Sequence, residues 1–236
     1  MHWLLFILGL IMGSFYNVLI WRIPRHESII KPRSHCPHCS HVLRAAELIP
    51  VVSFLWQRGR CKCCQARISW QYPLVELLTG FVFVLCGVTT VNWQVLIVRL
   101  VFFSLLLIIS VIDWQLQLIP NVLSLSGIII GFIFSIVGWS VSWLQSMLGA
   151  VIGGGILLLI VIVSRGGMGM GDVKLLAMIG TFLGPLSTLY ALFVASLCGT
   201  VWGVIYLLVT KQARSTPIPF GPFLALGAAF ISIILL

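Results

Sequence analysis

Apolar runs of about twenty residues recur along this chain, and they leave it few ways to fold. The stretches "WLLFILGLIMGSFYNVLIW" (3–21) and "VLIVRLVFFSLLLIISVI" (95–112) each suit a helix crossing a hydrocarbon core of about 30 Å. Lipid satisfies no exposed backbone group, so segments of this length and character fold as helices. With 60% hydrophobic and only 8% charged residues, a water-soluble globule is excluded. The expected class is an all-α polytopic membrane protein with about eight transmembrane helices. We draw these at 2–21, 73–91, 95–112, 121–139, 145–163, 173–184, 186–209 and 217–236. The first run has neither a basic n-region nor a small-residue cleavage pattern, so it reads as a retained span and not a removable signal.

The net charge of +9 reports topology before it reports partners. Nine of the fourteen Lys and Arg residues fall between Arg22 and Arg67, and Arg165, Lys174, Lys211 and Arg214 mark later hydrophilic positions. Threading eight spans puts all of these on one side, which the positive-inside rule makes the cytoplasm. Arg99 is the exception, inside an apolar run, and is expected to snorkel to the interface. The sixth span, "DVKLLAMIGTFLG", is short, and Pro185 disfavours helix at the residue before it. A single kinked helix over 173–209 would give seven spans and export Lys211 and Arg214, so eight is preferred. The expected organisation is a first transmembrane helix (1–21), a cytoplasmic loop domain (22–72) and a transmembrane bundle (73–236).

The 22–72 segment is too small to hold an ordinary core without a staple. It carries Cys36-x-x-Cys39 and Cys61-x-x-Cys64, separated by 21 residues. Two such knuckles supply four thiolates to a tetrahedral zinc, although the gap slightly exceeds the usual ribbon spacing. A cytoplasmic position argues against disulfides. Redox-active CxxC pairs are the competing reading; His35, His38 or His41 could replace a thiolate, and Cys63 could compete. Cys36, Cys39, Cys61 and Cys64 are the economical set, and a closed sphere of four thiolates makes the zinc structural. Cys86 and Cys198 lie in apolar spans as packing residues. The basic loop is dispersed beside the membrane, where it serves topology and contact with the lipid bilayer, so no nucleic-acid partner is expected.

Only five acidic residues are present: Glu27, Glu47, Glu76, Asp113 and Asp172. Glu27 and Glu47 belong to the loop, and Glu76 lies in the first turn of the second span. Asp113 follows "LLLIISVI" where the third span reaches the cytoplasm, and Asp172 opens the sixth span at the same face, within "GMGMGDVK" (167–174). Two carboxyls meeting there would share a proton, one acting as base on a water and the other as acid on a carbonyl. Gly169 and Gly171, lacking side chains, would let backbone or substrate approach Asp172. Helix-end aspartates contacting water or nearby cations are the alternative, and a proton-coupled transporter is another.

Several motifs in order resemble one family. They are "GSFYNVLIWRIP" (13–24), the paired CxxC loop, "LIPVVSFLWQRGRC" (48–61), "ISWQYPLVELLTG" (68–80), "DWQLQLIPN" (113–121), "GMGDVKLLAMIG" (169–180) and "PIPFGPFLALGA" (217–228). Together they are similar to the type IV prepilin peptidases, membrane aspartic proteases of the GxGD class. The resemblance implies cleavage of the leader peptide from type IV prepilins or pseudopilins at the cytoplasmic face of the bacterial inner or plasma membrane. Family members cut after a glycine, usually just before a phenylalanine-like residue. By position, Asp113 and Asp172 are then the catalytic aspartates. Members with the long cysteine loop also N-methylate the new N-terminus with S-adenosylmethionine, which draws attention to Gly13, Asn17, Arg22 and Glu76. For these four, an amine-binding role of Glu76 and a buried Glu76–Arg22 pair are equal alternatives. Asn121 stands where relatives often carry an acid. The competing functions are an intramembrane GxGD protease of other substrates and a non-enzymatic transporter or assembly factor.

Overall fold

The computed structural model describes residues 2–164, 168–210 and 219–235; Arg165, Lys211 and Arg214, which entered the topology argument, lie outside them. Among the described residues the fold is helical and no strand is present. The long helices are α1 (His2–Arg22), α3 (Gln71–Thr89), α4 (Trp93–Leu116), α5 (Asn121–Ile136), α6 (Trp143–Val163), α7 (Met170–Leu183), α8 (Pro185–Thr210) and α9 (Gly221–Leu235), with a short α2 (Val52–Trp56) between the first two. Each expected span thus corresponds to one helix. Five of them, α1, α3, α4, α6 and α8, are long and apolar enough to cross a membrane, while α5 and α9 are shorter apolar helices. The chain divides into two compact units, Met1–Val91 and Asn92–Leu236.

Local chemistry sets the helix boundaries. Asn92 caps α4 by accepting the Gln94 backbone N–H at 3.0 Å, and Ser142 with Gln145 forms a capping box at the start of α6. The break between α7 and α8 falls at Gly184, whose φ of 76° ends one helix before Pro185 begins the next. The continuous helix over 173–209 is therefore not formed.

In the first unit α1 lies against α3. A Cβ on Gly9 would sit 2.7 Å from the Gly80 Cα, and one on Gly13 would sit 2.7 Å from the Glu76 Cα. Gly9 and Gly13 form a G-x-x-x-G pair whose missing side chains bring the two backbones together.

In the second unit the organising element is α7, which packs with α5, α6, α8 and α9. Leu175, Leu176, Met178, Ile179 and Thr181 are wholly buried. Gly149 of α6 faces Gly180 of α7 so closely that a Cβ on either would overlap the other's carbonyl oxygen. Nearby, the Ser146 hydroxyl donates to the Thr181 carbonyl at 2.8 Å. Phe182 stacks on Phe102 at 4.7 Å between ring centres, closing the far end of the helix.

Arg99 does not snorkel. It is 3% exposed, and its Nη2 donates to the Ser232 carbonyl at 3.0 Å. Ser232 lies in the last turn of α9, where carbonyls have no partner within the helix and the dipole favours a cation. The carbonyl gives the guanidinium a partner inside the protein.

Gly149→Leu is expected to destabilise the protein by about 1–3 kcal/mol or more, because the added atoms meet backbone and not a side chain that can turn aside. Gly155→Ala meets nothing within 4 Å and should be neutral or slightly stabilising. Thermal unfolding midpoints in detergent compare the two.

Candidate active site and metal centre

Asp113 lies in the last turn of α4, four residues before the left-handed C-cap Gln117. It is buried, and its Oδ2 accepts the Gly221 backbone N–H at 3.0 Å. Gly221 is the first residue of α9, so the donor is one of the amides a helix leaves unpaired at its N-terminus. A Cβ there would sit 2.6 Å from the same carboxylate oxygen, so only glycine fits without displacing it. Next to Asp113, Trp114 packs edge-on against Trp202 of α8, with ring centres 6.1 Å apart.

Asp172 occupies the first turn of α7 behind the N-cap Gly169, where the helix dipole favours a carboxylate. The Asp172 backbone N–H donates to the Gly169 carbonyl at 3.2 Å, and Asp113 lies close enough for the two carboxyls to interact electrostatically. Both aspartates are buried, at 5% and 9% exposure. The structure thus brings together the two acids that the sequence singles out, at the meeting of α4, α7 and the start of α9. The glycines divide the work: a Cβ on Gly169 would lie 3.7 Å from the Asp172 Oδ2, whereas one on Gly171 would strike Ile119 at 2.9 Å. Gly171 therefore makes room for the segment leading into α5. At the rim, Lys174 donates to the Asn121 side chain at 2.7 Å.

Gly221 is a functional residue without a sequence signal of its own: it lies in the 217–228 motif, but nothing in the order of residues links it to an aspartate 108 positions earlier.

The four cysteines form a second constellation, in the first unit. The two knuckles are near copies. In each, the first Cys amide donates to a carbonyl five residues on (His41, Ala66), and its own carbonyl accepts the amide four residues on (Ser40, Gln65). Ser40 and Gln65, each just after the second Cys, both take positive φ. All four Sγ atoms lie within 4.8 Å of one another, with Cys36–Cys64 at 3.8 Å and Cys39–Cys61 at 3.9 Å. A tetrahedron of Zn–S bonds of about 2.3 Å places its sulfurs about 3.8 Å apart, so the set fits zinc. His41 instead faces Glu47 at 3.3 Å and His35 contacts the Arg33 carbonyl, while the sulfurs that converge are those of Cys36, Cys39, Cys61 and Cys64, without Cys63.

The thiols are poised unequally. Backbone amides of Cys64 and Cys63 pull Cys61 down to about 6. At Cys39 the His41 amide favours the thiolate, but burial and the neighbouring thiols outweigh it and push the group up to about 12. Cys64 is likewise raised, despite the Ala66 amide. Four crowded sulfurs cannot all ionise without a cation among them.

The remaining candidates, on α1 and α3, are tied into the fold. Asn17 donates through Nδ2 to the Gly13 and Tyr72 carbonyls at 3.2 and 3.1 Å, and its buried Oδ1 accepts nothing among the described residues. Glu76 accepts the Val51 amide at 2.7 Å and a hydrogen bond from Ser14. Arg22 donates to the Ser28, Ile29 and Pro32 carbonyls. Arg22 and Glu76 are not an ion pair among the described residues, because loop carbonyls take the guanidinium and a loop amide takes the carboxylate.

Two family models cover the chain. Residues 7–90 match the bacterial peptidase A24 N-terminal domain, and residues 100–204 match the type IV leader peptidase family. A Bacillus subtilis prepilin leader peptidase/N-methyltransferase is 41% identical over 225 residues, 95% of this chain and 91% of that protein. The chain belongs to the type IV leader peptidase family. The counterpart in Aeromonas hydrophila is 36% identical over 253 residues, covering 95% of this chain and 87% of its own. An Escherichia coli type 4 prepilin-like proteins leader peptide-processing enzyme is 37% identical over 243 residues, covering 93% and 88%. No solved structure matches. The family model boundaries at 90 and 100 bracket the division between the two compact units. This member of the leader peptidase family is a membrane protein and an enzyme.

Metal analysis is expected to find about one zinc per chain, lost in Cys36→Ser or Cys61→Ser. Loading the metal-free protein near neutral pH should release protons from Cys39 and Cys64, read with a pH-sensitive dye. A well-folded preparation with no metal would defeat the assignment.

Proposed function

We propose that this leader peptidase removes the leader from type IV prepilins or pseudopilins, using Asp113 and Asp172 as a carboxyl dyad facing the cytoplasm, and then N-methylates the new terminus. The observation that carries the first half is the pairing of two buried aspartates from separate helices, with the Gly221 backbone N–H on the Asp113 carboxylate. In the hydrolysis, the unprotonated carboxyl takes a proton from water as the oxygen attacks the scissile carbonyl. The protonated partner supplies its proton to that carbonyl oxygen, and then a proton passes to the leaving amine. Gly221 contributes by orientation: its amide fixes the Asp113 carboxyl on one oxygen and leaves the other for the water. The clustering of Lys and Arg in the 22–72 loop supports the cytoplasmic orientation.

The second half rests on the acceptor Oδ1 of Asn17, buried without a partner among the described residues, on the same helix pair as the carboxylate of Glu76. Both groups are hydrogen-bond acceptors, which suits an amine. S-adenosylmethionine would supply the methyl group. Asn17 and Glu76 would hold and orient the N–H groups of the acceptor. Gly13 serves by letting α1 and α3 touch, and Arg22 by fastening the loop after α1. The 22–72 segment is read as a zinc-stapled cytoplasmic domain between the first two membrane helices.

Asp113→Asn or Asp172→Asn should reduce cleavage of a prepilin in membranes by about 100-fold to 10,000-fold. Gly221→Ala should reduce it less, by displacing one carboxylate. If both asparagine variants still cut, the dyad is wrong. Glu76→Gln retains an oxygen for the Val51 amide, so it should leave cleavage intact while the product loses the mass of one methyl group. A Gln variant that methylates normally removes Glu76 from the reaction.

A further inference from the structure

The 21 residues between Cys39 and Cys61 carry an uncharged stretch, "LIPVVSFLW" (48–56). Arg44 precedes it and Arg58 and Arg60 follow it, all three exposed. The four converging Sγ atoms draw the two ends of this gap together, so the stretch projects from the cysteine knuckles as a closed loop.

The loop turns one aromatic side chain inward. Phe54 of α2 is buried, its ring 4.9 Å from that of Trp70, and a Cβ on Gly59 would sit 3.1 Å from its far edge. Leu48, Ile49, Val52, Leu55 and Trp56 stay exposed, Leu55 at 65% and Trp56 at 87%. Five large apolar side chains among nine residues form a patch of the type that marks an interaction surface.

The height of this patch is fixed against α3. Val51, the N-cap of α2, donates its amide to Glu76 at 2.7 Å. With 19 residues α3 is about 28 Å long, so crossing a hydrocarbon core of about 30 Å takes all of it. Its first residue, Gln71, therefore stands at the boundary, with Glu76 about 7.5 Å further along the axis. A helical side chain leans toward its own N-terminus, so the Val51 contact falls between that level and the boundary. Apolar interfacial segments rest at this height, about 5–10 Å into the zone between headgroups and acyl chains. Exposed Trp70 before α3, and Trp21 with the Arg25 guanidinium 3.6 Å over its ring, are the aromatic residues expected at such a boundary. The backbone also meets the demand of lipid. The amides of Val52, Ser53, Leu55 and Gln57 bond to carbonyls of their own segment, and Glu76 takes that of Val51.

We propose that residues 48–56 form an interfacial segment whose exposed apolar face enters the lipid between headgroups and acyl chains. Arg44, Arg58 and Arg60 remain at the phosphates, and their charge is complementary to an anionic lipid surface. The insert between the first two membrane helices is then seated on the bilayer by its own apolar loop, with Glu76 holding that loop at its depth.

Nine tryptophans make ordinary fluorescence ambiguous, so the test is fluorine NMR of the full chain grown with fluorotryptophan. The protein is reconstituted in bilayer discs of phosphatidylcholine and phosphatidylglycerol. The Trp56 resonance is the one missing in Trp56→Phe, and Leu55→Ala, which shifts its neighbour's resonance, assigns it independently if the first variant folds poorly. A phospholipid with a nitroxide near the top of its acyl chain should broaden this resonance until its intensity is lost. A water-soluble gadolinium chelate should leave most of the intensity in place. Loss to the chelate as great as to the lipid label overturns the proposal, because the loop then lies in water. Resistance to both agents also overturns it, because the face is then covered by protein, a second copy or another partner.

Discussion

Helices in lipid gain little by hiding apolar surface from one another, so their association depends on how closely their backbones approach. Small residues supply that closeness here. Gly149 and Gly180 meet backbone to backbone, Gly9 meets Gly80, and Gly13 lies against the Glu76 backbone. On α7 the grip is at Gly180 and at Leu176, whose carbonyl would lie 2.9 Å from a Cβ on Gly153 of α6, and it sets the height and rotation of the helix that Asp172 opens. The glycines that look least informative in the sequence therefore determine where its few acids stand.

The candidate aspartates are held by helix ends. Asp172 opens α7, and Asp113 closes α4 while receiving the leading amide of α9. Such amides have no partner within their own helix, so directing them at a carboxylate satisfies both groups at once. The same rule explains Arg99 at the other end of α9, where a last-turn carbonyl accepts the guanidinium. One short helix thus receives an acid at its start and a base near its finish.

Much of this was legible in the sequence, for reasons that differ by feature. Span positions follow from hydropathy, which needs no partner, and the paired CxxC spacing encodes a local backbone shape that the two knuckles repeat. Asp113 and Asp172 stood out through scarcity. What stayed hidden depends on contacts between distant segments. The amide from Gly221, the Ser232 carbonyl on Arg99 and the Val51 amide on Glu76 have no local signature. The same holds for Gly13, whose missing side chain matters only because α3 lies against it. The Glu76–Arg22 pair, one of two readings of these residues, is not formed because loop backbone groups take both charges.

The contact between Gly221 and Asp113 ties chemistry to the vertical register of a single helix. A slip of one residue along its axis moves α9 by about 1.5 Å, enough to break a 3.0 Å hydrogen bond. The carboxyl would then turn freely, with no change anywhere in the helices that carry the two aspartates. A displacement of α9 along its axis would therefore be felt at Asp113. The orientation of that carboxyl is set by a helix other than its own.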